Sequence, residues 1–171
     1  MSVKFLTRVE AESWCLKNGI QVVSGKPKPL EAHRIAPLGF SIPEDAGART
    51  SLARMLYPNA EDGDLLIWTT DWSVWPSGEH LPLMRRLREA LGEERTVFDA
   101  PAQLVGSESI DDGLSLLVLN VLFLWDCWVI CSEGEYVAFF SHDEWGEVCI
   151  VQESRRSAAK DFLKKMDVFA Y

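Results

Sequence analysis

A chain of 171 residues, 47% hydrophobic and 25% charged, is sized for one domain with a real core, and its composition excludes a disordered or fibrous protein. The net charge of −9 is segregated: no Lys or Arg lies between Arg95 and Arg155, a stretch that carries eleven Asp and Glu, and the rest of the chain is slightly basic. An acidic stretch of this kind repels phosphate backbones, which excludes nucleic acid as the expected partner and favours a basic protein, although such acids also serve simply to keep an apolar segment in solution.

The N-terminus, Met1 to Arg8, turns polar before an apolar signal-peptide core can form, so a cytoplasmic protein is expected. Val3 to Leu6 reads as a short strand. Thr7 and Glu10 then make a Thr-x-x-Glu capping box and Gly19 a left-handed stop, which predicts a helix over 8–18 with Val9, Trp14 and Leu16 as its apolar contacts. Ile20 to Val23 follows as a strand, Gly25 to Pro29 as a basic turn, and Ile35 to Phe40 as a strand pushed to an edge by Pro37. Ser41, Pro43 and Glu44 resemble a second cap, opening a helix to about Leu56.

The break at Pro58 to Gly63 leads into Leu65 to Thr69, whose unbroken apolar character predicts a buried strand. After it, Leu83, Met84, Leu87, Ala90 and Leu91 form a helical stripe opposite Arg85, Arg86 and Arg88, closed by Gly92. Val97-Phe98 reads as a short strand and Pro101 to Gly106 as a connection. Ile110 to Trp125 is apolar nearly all round, with Asp111 and Asp112 suited to the helix N-terminus, and predicts the central helix. The apolar run from Leu114 to Cys131 contains Asn120 and Asp126, which argues against a membrane span. Trp128 to Cys131 and Tyr136 to Phe140 flank a hairpin turn at 132–135; Val148 to Val151 is a further strand, and Ser154 to Met166 an amphipathic helix with Ala158, Phe162 and Leu163 inward. The sum is an α+β domain with a mixed or largely antiparallel sheet, a central buried helix and flanking amphipathic helices.

Candidate function concentrates in two segments that follow strands, where binding groups gather on a rigid scaffold. The first supplies Asp71, Trp72, Trp75, Ser77, Glu79 and His80, with Arg85 and Arg88 on the helix after it. The second supplies Ser141, His142, Asp143, Glu144 and Trp145. If the segments meet, His80, His142 and a carboxylate have the chemistry to ligate a divalent ion, but no same-face spacing such as His-Glu-x-x-His occurs, so neither a metal nor a cofactor is expected. Gly-x-Ser-x-Gly elbows and phosphate-cradling glycine loops are absent as well. The four cysteines, Cys15, Cys127, Cys131 and Cys149, sit in apolar segments and read as buried free thiols. Of the seven tryptophans, Trp14, Trp68, Trp125 and Trp128 belong to predicted elements and to the core, whereas Trp72, Trp75 and Trp145 lie where an interface would use them.

The pieces Trp72 to Ser77, Leu83 to Arg88 and Phe139 to Trp145 resemble a group of bacterial proteins with a Trp-x-x-Trp-Pro-Ser loop, an Arg-bearing helix and a Phe-Phe-Ser-His-Asp-Glu-Trp segment. That resemblance implies a bacterial origin and a shared fold, and no activity. In size and acidity the chain is also similar to the immunity proteins that neutralise toxins, a likeness of composition without a residue motif. Two functions follow as expectations: a non-enzymatic interaction domain that presents an acidic, Trp-bearing surface to a basic protein, or a small metal-dependent hydrolase or ligand-binding protein that uses a His/Asp/Glu cluster between the two loops. Neither predicts an oligomeric state.

Overall fold

Three strands whose side chains are buried on both faces make the middle of the sheet: β5 (Leu65–Asp71), β7 (Asp126–Cys131) and β8 (Tyr136–Phe140). Such continuous apolar runs form when both faces of a sheet are covered. In the computed structural model, which describes residues 3–23, 26–28, 35–58, 63–72, 80–132 and 134–170, these strands belong to an eight-stranded antiparallel sheet. Its order is β1 (Lys4–Leu6), β6 (Ala102–Val105), β5, β7, β8, β9 (Trp145–Ile150), β4 (Leu38–Ser41) and β10 (Phe169–Ala170). A separate hairpin pairs β2 (Gln21–Val23) with β3 (Lys26–Lys28). The fold is α+β.

On one face the helix α4 (Ile110–Leu122) lies over the centre of the sheet, supported by α2 (Ala46–Met55) and α3 (Leu81–Ala90), while α5 (Glu153–Lys165) covers the β9 and β10 side. Leu52, Leu116, Leu117 and Val121 pack there onto Ile67, Val129, Ala138 and Phe140. The polar Asn120 is tolerated in this core because both ends of its amide are used: Thr69 donates to Oδ1 at 2.7 Å, and Nδ2 donates to the Leu116 carbonyl at 2.8 Å. On the opposite face α1 (Arg8–Lys17) sets Ala11 and Cys15 against Leu66, Trp68, Trp128 and Ile130.

Several expectations change at this level. The capping box of α1 is present, yet Val9 and Leu16 are 71% and 64% exposed; the sheet takes the smaller Ala11 and Cys15, four residues apart on one helix face. Helix α2 begins at Ala46, capped by Asp45, whose carboxylate accepts the Ala48 N–H at 2.8 Å. Ser41 instead ends β4, with its N–H committed to the Val168 carbonyl. β4 is not an edge, since β10 pairs outside it. Residues 97–98 form a turn, and the predicted connection at 101–106 holds strand β6. The central helix stops at Leu122, followed by Leu124 at φ +52°, so that β7 starts at Asp126 rather than at Trp128. In α5 it is Ala159, not Ala158, that turns inward with Leu163.

Candidate functional site

Antiparallel pairing brings one end of the sheet's centre to a single point. The last residue of β5, Asp71, is the register partner of the first residue of β7, Asp126, across a register shift between Thr69 and Asp71. Cys127 pairs with Phe140, so the turn joining β8 to β9, residues 141–144, lies beside Asp126. That turn is closed by the Ser141 N–H on the Trp145 carbonyl and the Glu144 N–H on the Ser141 carbonyl, with Glu144 at φ +63°. The Ile42 N–H on the Glu144 carbonyl anchors it to the chain after β4.

The geometry delivers His142 to Asp126. Asp126 Oδ1 accepts the backbone N–H of His142 at 2.8 Å and sits 2.8 Å from its Nδ1, while Nε2 lies 3.4 Å from Asp143 Oδ1. Partial burial works to lower the imidazole pKa, but the Asp126 hydrogen bond and the charges of Asp126, Asp143 and Asp71 outweigh it, and the net shift is upward from the ordinary value. The ligating atoms of Asp71, Asp126 and His142 all lie within 4.8 Å of one another. Asp126 is buried, Asp71 and His142 are half-buried, and Asp143 and Glu144 are exposed. Arg49 approaches from α2, donating to the Pro43 and Leu122 carbonyls at 2.6 and 2.9 Å, with a nitrogen 3.7 Å from Glu144 Oε1.

No family model, curated protein or solved structure matches the chain. The chemistry of the sheet end rests on its own atoms. A carboxylate that orients an imidazole, a second carboxylate opposite it and two exposed acids beside them make a locally anionic site open to cations.

The predicted residues divide clearly. From the first segment Asp71 joins the second segment's His142. Trp72 is buried, its ring edge-on to Phe98 at 5.5 Å, and belongs to the core. His80 precedes α3 and stacks on Phe123 at 4.0 Å, outside the three-residue group. Trp75, Ser77 and Glu79 lie outside the described residues. Ser141 is buried, and its Oγ accepts the Asp143 N–H at 3.2 Å. Trp145 is 44% exposed and meets Phe139, which in turn packs on Trp128.

Arg85 is exposed and pairs with Glu89 at 2.7 Å. Arg88 occupies the buried face of α3 with Met84, whereas Leu83 faces outward. Its guanidinium donates to the carbonyls of Ala100, Arg95 and Thr96 and lies over the Phe5 ring. Beside it, Arg95 holds the buried Glu93 carboxylate at 2.6 Å and donates to the Phe5 carbonyl. Burial pulls Arg88 down to about 10 despite Glu93, and the Arg95 hydrogen bond holds Glu93 below the usual carboxylate range.

Asp126 is the functional candidate that spacing alone missed. It stands in an apolar run, where it signals only that the run does not span a membrane; no described helix is long and apolar enough to do so. A hairpin centred on 132–135 places residue 126 opposite 141, and that register was the available signal.

Proposed function

We propose that the chain is a non-enzymatic, immunity-like interaction domain of the bacterial cytoplasm, which binds a basic protein through the exposed Asp143 and Glu144 at the sheet end, with Trp145 beside them. One observation carries this reading: Asp126, Asp143 and Glu144, from the stretch without Lys or Arg, meet Asp71 from outside it at one sheet end next to an exposed tryptophan. Complementary charge accelerates encounter and selects partners, and a rim tryptophan adds buried area at contact. Arg49 tethers Glu144 without neutralising the group, since Asp143 stays exposed beyond it.

Affinity capture from the native cell at low and high salt tests the proposal, with the double variant Asp143→Lys/Glu144→Lys run in parallel. A basic protein retained at low salt, released at high salt and lost to the variant is the expected result. Recovery of no partner at either salt, or capture indifferent to the charge reversal, would overturn it.

A further inference from the structure

We infer that Asp71, Asp126 and His142 form a binding site for one divalent transition-metal ion of the zinc or manganese class. The inference is independent of any protein partner. Spacing within each segment predicts no metal, but proximity across the sheet end supplies what spacing lacks.

Three elements each contribute one ligating group: the end of β5, the start of β7 and the β8–β9 turn. Asp126 Oδ1 and His142 Nδ1 stand 2.8 Å apart, a hydrogen-bond distance that opens by only about 0.6 Å to reach the roughly 3.4 Å separation of adjacent ligands in a tetrahedral site with each about 2.1 Å from the ion. Asp71 is held within 4.8 Å of both, so side-chain rotation alone can complete the set. Asp143 adds a second, separate feature. Metal-bound histidines donate their other ring N–H to a carboxylate or carbonyl, and Asp143 Oδ1 lies 3.4 Å from His142 Nε2.

The donor set also limits the ion. An imidazole nitrogen favours first-row transition metals, whereas magnesium and calcium prefer oxygen alone. Half-exposure of Asp71 and His142 leaves an entry path and room for water to fill the remaining positions.

The test uses the full chain, purified, stripped with chelator and dialysed, titrated calorimetrically with zinc chloride, with manganese chloride and, for comparison, with magnesium chloride. One ion per chain is expected, with binding at least about tenfold weaker in Asp71→Asn and in His142→Gln, both checked for native circular dichroism. If a variant does not fold, the wild-type protein still decides: zinc should shift the Nδ1 resonance of His142 and leave Nε2 protonated. No binding of zinc or manganese, binding undiminished in either folded variant, or an unshifted His142 ring would overturn the assignment. So would magnesium binding as tight as zinc, which would mark exposed acids alone.

Discussion

Two charged clusters flank the centre of this sheet, and they use charge in opposite ways. Around α3, the buried charges are satisfied: Arg88 is buried against three carbonyls and a phenyl ring, and Arg95 clasps Glu93. At the strand ends, two carboxylates lie opposite each other on neighbouring strands, with one imidazole hydrogen-bonded to Asp126 and two exposed acids alongside. The first cluster completes hydrogen bonds that a turn cannot make for itself, and its place is in the fold. The second gathers acids and one imidazole at a single strand end, an arrangement suited to holding something positive.

Arg88→Met should break the first cluster with the largest effect. It keeps most of the side-chain volume but strands buried carbonyls, and a loss of about 3 kcal/mol is expected in urea unfolding. A loss under about 1 kcal/mol would mean that water replaces the guanidinium freely.

Acid sharpens the same contrast. Glu93 is held below its ordinary value of 4.5, first by the Arg95 hydrogen bond and against the opposing effect of burial. Its folded pKa lies below its unfolded one, so its contribution is complete above about 4.5 and fades as pH falls through the folded value. His142 is raised from 6.5, so in the ion-free protein its contribution is complete below about 6.5 and fades as pH rises through the folded value. Denaturation midpoints recorded across pH with chelator present should therefore flatten at the acid end in Glu93→Gln and near neutrality and above in His142→Gln. Identical profiles for the two variants would erase the distinction between the clusters.

The smallest stability effects belong to the outer rim. Asp143→Lys should change unfolding free energy by no more than about 0.5 kcal/mol, because its side chain is exposed, and Trp145→Ala by about 1–2 kcal/mol, because part of its ring packs on Phe139, each while weakening capture of a basic partner. A large loss of stability in either would place that residue in the structure rather than on a binding face.

The centre of the fold was legible because its signals are local. Residues 65–69 and 136–140 are continuous apolar runs, and the turn at 132–135 announces the hairpin between β7 and β8. Other features depend on distant partners. Ser41 resembles a cap as well as Asp45 does, and only the Val168 carbonyl and the pairing with β9 and β10 assign it to a strand. Arg88 looks solvated on a helical wheel; the carbonyls that bury it come from the turn that follows. In the site, Asp71 and His142 stood out by residue type, but their meeting is a consequence of sheet order, and Asp126 was masked by its apolar neighbours.

The contrast between the two clusters rests most directly on Asp71. Urea unfolding of the wild-type protein and of Asp71→Asn, each with chelator and with zinc, measures it in one set of curves. Only the wild type should gain stability when zinc is added, while Asp71→Asn should unfold at the same urea concentration with and without the ion. A wild type indifferent to zinc, or a variant stabilised by zinc as much as the wild type, would contradict the account.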